Sequence, residues 1–144
     1  MYECGLRRGE AIGLLLIDPD GENNVLHVRQ QITRVTGLVI GPPERGVQRS
    51  LTLGPQTAHL LRDHLSTREA EQAAPGPVWG ESGLLFTTAE GAALDSGSVT
   101  HLMGRRSSKA KIAHATPHSL RHTHMTRGSA TRICSRARAT ATSR

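Results

Sequence analysis

Apolar and polar positions along the chain follow two different periods. In residues 6–17, LRRGEAIGLLLI, the apolar Ala11, Ile12, Leu14 and Leu15 suit a helix that begins near Arg8. Asp18-Pro19-Asp20-Gly21 should stop it, because proline disfavours helix at the residue before it and glycine suits a turn. Residues 25–35, VLHVRQQITRV, alternate and are rich in β-branched side chains, which predicts a strand. Residues 37–40 predict a second short strand, broken by Gly41-Pro42-Pro43, and residues 49–53, RSLTL, a third. The three are expected to form one small antiparallel sheet.

Helical spacing then returns. Pro55 stands where a helix can start, and 57–74 follows with Leu60, Leu61 and Leu65 expected in the core. Pro75-Gly76-Pro77 ends it, and Leu84-Leu85-Phe86 reads as a short extended piece. Asp95 or Ser96 can cap a helix over roughly 97–112. Thr116-Pro117-His118 opens another, proline being favoured in a first turn, and this one carries SLRHTHMT. Beyond Thr126 neither period survives, and Ile133 is the single large apolar residue, so 127–144 is expected to be unstructured. There is no internal repeat. The fold class predicted is α+β, mainly helical with a small three-stranded antiparallel sheet.

Composition narrows the picture. With one Phe, one Tyr and one Trp (Phe86, Tyr2, Trp79) and 36% hydrophobic residues among 144, aliphatic side chains must fill the core, and marginal stability is expected. Cys4 and Cys134 imply no disulfide framework. No apolar stretch has the length of a membrane span and the N-terminus has no apolar signal core, so a soluble, cytoplasmic protein is expected. The net charge of +6 invites a nucleic-acid reading. Five arginines without an acid occupy 127–144, however, and the remainder carries 13 basic against 12 acidic residues. DNA binding must therefore be argued from particular side chains.

Two short segments supply them. Gly5-Leu6-Arg7-Arg8-Gly9-Glu10-Ala11-Ile12-Gly13-Leu14 and Pro117-His118-Ser119-Leu120-Arg121-His122-Thr123-His124-Met125-Thr126 resemble the two conserved boxes of the tyrosine recombinase (phage integrase) family. Asp18 and Asp20 fall in register with an acidic stretch behind the first box. GLVIGPP followed by RSLTL resembles the family's β-hairpin, and LLFTTAEGAALDSGSVTHLM its link into the helix before the second box. The resemblance covers roughly residues 2–126, in family order and spacing. It implies cleavage of a DNA phosphodiester by a tyrosine hydroxyl through a 3′-phosphotyrosyl link, without metal or cofactor. Charge on the phosphate oxygens must then be met by fixed cations, and guanidinium offers a planar, permanently charged fork. By resemblance these are Arg7 and Arg121, with His118 aiding proton transfer. Glu10 would orient the arginines or support its helix, His122 would pack or stand behind the site, and Arg45 is a nearby DNA-binding candidate. The implied partner is double-stranded attachment-site DNA, on which full-length relatives act as multimers.

Three departures qualify the resemblance. The family's hairpin lysine falls at Pro43 or Glu44, and the lysines present, Lys109 and Lys111, lie in another segment. The nucleophile belongs downstream of the second box, whereas the single tyrosine is Tyr2. The first box normally follows a helix and a DNA-clamping helical domain. Codons for residues 133–143 can be chosen that, read two bases on, encode a Gly-His-Ser-containing stretch like the family's third box. The expectation is a partial catalytic domain over 1–126 with an aberrant basic tail over 127–144, inactive in strand transfer. The alternative is a non-catalytic DNA-binding remnant or pseudogene product. A metal module on His118 and His122, spaced i, i+4, is disfavoured because no third ligand is evident. Arg8, beside Arg7, reads as merely exposed.

Overall fold

A computed structural model describes residues 3–34, 37–43, 46–73, 80, 82–112 and 116–126. Along the chain run α1 (Arg8–Ile12), β1 (Pro19–Asp20), β2 (Val25–Val28), β3 (Gln31–Arg34), β4 (Leu38–Gly41), β5 (Arg49–Thr52), α2 (Pro55–Ala73), α3 (Ser96–Lys109) and α4 (Pro117–Thr126). The architecture is mixed α+β. The strands form two antiparallel sheets, β1-β2-β5 and the β3-β4 hairpin.

The single sheet expected from sequence is thus corrected. Residues 25–35 do not make one strand: the run breaks at Arg29 and Gln30. Arg29 turns to Asp18 and the Gln30 side chain donates to the carbonyl of Gly13 at 3.0 Å, so β3 leaves the first sheet and crosses α1. The crossing is close: a Cβ at Gly9 would lie 2.6 Å from the Ile32 carbonyl oxygen, so only glycine lets helix and strand meet. Ile12, Ile32 and Leu84 are buried together there.

The first helix is also shorter than expected. It ends at Gly13 rather than at Asp18-Pro19. Leu14 and Leu15 instead run extended beside Leu84 and Leu85, through an antiparallel bridge and a 2.7 Å bond from the Leu85 amide to the Leu14 carbonyl. Pro19 lies in the edge strand β1, where its missing N–H does no harm.

The larger core gathers Leu6, Leu14, Leu26, Val28, Leu51, Leu53 and Leu85, with Cys4 and Ala58. Each buried aliphatic side chain stabilises by about 1.5–3 kcal/mol relative to exposure. On α2 the inward stripe is Ala58, Leu61, Leu65 and Arg68, one face at i, i+3, i+7, i+10. Leu60 lies off it and is 61% exposed, so its expected core role is corrected. His64 donates from Nε2 to the Leu85 carbonyl at 2.9 Å and stacks on Phe86, and Arg68 donates to the Leu84 carbonyl and to Thr87, tying the extended piece to α2. No described helix is long and apolar enough to cross a membrane. Tyr2, Glu44, Arg45, Trp79 and the tail 127–144 lie outside the described residues.

Candidate nucleic-acid interface

Arg7 occupies the N-cap of α1 in extended backbone, φ −70° and ψ 153°. Its amide donates to Glu10 Oε2 at 2.8 Å, one half of a capping box. Leu6 and Glu10 are both buried, and the Arg7 side chain between them is half-buried. Glu10 is 0% exposed and accepts both Arg49 guanidinium nitrogens, at 2.8 and 2.6 Å, from β5. Arg7 Nη1 lies 3.6 Å from its other oxygen. Burial pushes the Glu10 carboxyl up, but the Arg49 fork and the Arg7 amide outweigh it and hold the group below its ordinary 4.5. Glu10 is therefore a charged anchor set under Arg7.

The second segment arrives on α4. The Thr116 amide donates to Ser119 Oγ at 2.8 Å and the Ser119 amide to Thr116 Oγ1 at 3.1 Å, a reciprocal cap with Ser119 in the usual glutamate position. Pro117 fills the first helical place. His118 and Arg121 then stand one turn apart. His118 is exposed, while Arg121 is partly buried and donates from Nη1 to the Gly5 carbonyl at 2.8 Å. Gly5 adopts φ 57°, and a Cβ there would meet the His124 ring at 2.7 Å. Arg121 and His124 together clasp the loop that delivers Arg7.

An open cavity of about 570 Å³ results, lined by Arg7, Arg8, Thr100, Thr116, Pro117, His118 and Arg121. It brings together Arg7, His118 and Arg121, which the sequence singled out from segments more than a hundred residues apart. Glu10 lies beneath it. His122 is exposed and is not among the residues lining the cavity. Arg45 lies outside the described residues, and Pro43 is buried. Among the described residues no group of three or more His, Cys, Asp or Glu could hold a metal ion. Sequence reasoning missed three participants: Arg49, which fixes Glu10, and Arg8 and Thr100 in the wall. Arg49 stands in a run that reads only as strand, and Thr100 in one that reads only as helix.

The cavity's permanent cations are guanidinium groups, and its size falls in the range of small-ligand sites. Such a site suits an oxyanion bearing several acceptors, such as a phosphate.

The sequence model of the phage integrase family matches residues 1–129. A tyrosine recombinase XerC-like protein of Caldanaerobacter subterraneus subsp. tengcongensis is 27% identical over 144 aligned positions, covering 88% of this chain and 36% of that protein. The Tn1549 transposon integrase in complex with a circular intermediate DNA superposes with a TM-score of 0.70 at 27% identity, covering 88% of this chain and 42% of that one. XerA recombinase shares the fold at a TM-score of 0.66 and 22% identity, over 88% of this chain and 40% of its own. The chain thus spans about two fifths of the length of the relatives it matches.

Proposed function

The chain belongs to the phage integrase family, and from that premise we propose that its cavity grips a DNA phosphodiester between Arg7 and Arg121, the phosphate-holding part of site-specific DNA breakage and rejoining. The observation that carries this reading is the convergence of Arg7, His118 and Arg121 on one open cavity, with Arg121 bonded to the loop that presents Arg7. Guanidinium forks meet the non-bridging oxygens, where charge grows as the phosphorus becomes five-coordinate. His118, exposed in the cavity wall, would exchange a proton with an oxygen of the reacting group. Glu10 holds Arg7 ready beforehand. The partner is double-stranded DNA.

The same reading assigns residues 1–144, taken by themselves, binding without strand transfer. Its single tyrosine, Tyr2, precedes the first box, and the hairpin position reads Pro43 or Glu44 instead of lysine. Incubation with nicked attachment-site DNA should give no covalent protein–DNA adduct, and an adduct overturns the assignment. In mobility shift, Arg7→Ala and Arg121→Ala should each weaken binding by about tenfold or more, with no preference among sequences. Binding that survives both substitutions but disappears on deleting 127–144 would show that the tail alone holds DNA, and would sink the cavity reading.

A further inference from the structure

Arg8 and Thr100 line the same cavity, yet the phosphate grip assigned to Arg7 and Arg121 uses neither. Arg8 Nη1 donates to Thr100 Oγ1 at 2.8 Å across 92 residues of chain. The Thr100 hydroxyl proton is already committed, donating to the Ser96 carbonyl at 3.1 Å within α3. Its oxygen therefore faces Arg8 purely as an acceptor. That sequence of bonds fixes one guanidinium nitrogen of a side chain that lines the open cavity and leaves its other donors uncommitted to Thr100.

Three other arginines offer a contrast, whereas Arg62 donates to the neutral Gly21 carbonyl and Asn24 amide oxygen. Arg29, Arg34 and Arg49 each pair with a carboxylate. Arg8 forms no ion pair among the described residues. An exposed arginine held by a neutral hydroxyl keeps its full charge for a ligand, and a threonine that immobilises it reduces the ordering entropy lost when that ligand arrives.

We propose that Arg8 is a third phosphate-binding cation, contacting the phosphate next to the one held by Arg7 and Arg121, and that Thr100 is its positioning residue. The cavity would then span two consecutive phosphodiesters of one strand. This rests on the phosphate reading of the cavity and extends it along the DNA backbone.

The test is the salt dependence of binding of the full chain to a short DNA duplex, compared among variants that share the same tail. Arg8→Gln should lower the slope of log K against log salt by about 0.9, which is roughly an eightfold loss of affinity at ~0.1 M salt. Thr100→Val should weaken binding by roughly threefold with the slope unchanged, since charge is kept and only its placement is lost. Thr100→Ser should restore wild-type affinity. In an Arg8→Gln background Thr100→Val should add nothing. If Arg7→Ala and Arg121→Ala weaken binding while Arg8→Gln leaves slope and affinity intact, the inference fails and the cavity reading stands. If Arg7→Ala and Arg121→Ala change nothing, the underlying reading fails. A Thr100→Val loss that persists in the Arg8→Gln background removes the positioning role. Arg8 is exposed, so Arg8→Gln should melt with the wild type, which separates lost contact from lost fold.

Discussion

Glu10 and Asp18 lie eight residues apart, both are 0% exposed, and each accepts one backbone amide and an arginine. They nonetheless differ in charge balance. Glu10 receives both nitrogens of Arg49, itself only 17% exposed, with Arg7 close by. Asp18 receives one nitrogen, at 2.9 Å, from Arg29, which is 37% exposed. Burial raises both carboxyls. It is overcome at Glu10, which stays below its ordinary value, and wins at Asp18, which rises above 3.8 despite the Leu15 amide and Arg29. Burial alone therefore does not set the direction of the shift; the geometry of the partner does. The well-paired carboxylate is the one beneath the cavity, where a fixed counter-charge can hold Arg7. The poorly paired one only staples the loop after α1.

Removing the arginines should break this comparison most visibly. Arg49→Met leaves Glu10 buried with only the longer 3.6 Å contact to Arg7 and should cost about 3–5 kcal/mol, a large part of a domain's typical ~5–15 kcal/mol. Arg29→Met should cost less than about half as much, because Asp18 loses a single bond from a more exposed arginine. Urea unfolding of the two variants measures both, and equal losses would erase the distinction. The carboxamide variants come next: Glu10→Gln should cost about 1–3 kcal/mol and Asp18→Asn about 1 kcal/mol or less.

Acid titration of stability sharpens the same contrast with opposite signs. The Glu10 contribution is complete above its unfolded value and is lost as pH falls through its depressed folded value. Asp18 is raised, so its burial opposes folding at neutrality, and that opposition fades as pH falls through its folded value. Asp18→Asn should remove the gain on the upper part of the acid limb, and Glu10→Gln the loss on the lower part. The smallest effect belongs to an exposed pair. Arg34→Gln, at a 3.0 Å contact with Asp95, should move stability by less than about 0.5 kcal/mol, read from the same unfolding curves.

What the sequence made legible was local. The caps of α3 and α4, at Asp95 and Thr116, follow from short side chains beside helical runs. The pairing of Arg7 with Arg121 came through the resemblance of two segments. What stayed hidden depends on distant contacts. Residues 25–35 contain no glycine or proline to announce the break at Arg29 and Gln30, which is imposed by Asp18 and by the carbonyl of Gly13. Leu60 looks like its neighbour Leu61 in composition but lies off the inward stripe of α2. Arg49 and Thr100 acquire their parts only once β5 and α3 are packed beside α1, from 39 and 92 residues away.

Everything proposed for the cavity depends on a phosphate held by Arg7 and Arg121. The most direct test follows the guanidinium Nε–H resonances of the arginines by NMR while a short DNA duplex is added at moderate salt. Arg7 and Arg121 should shift first and together, ahead of Arg34 and Arg62 on the remaining surface. Shifts confined to the arginines of 127–144, with Arg7 and Arg121 unmoved, would contradict it.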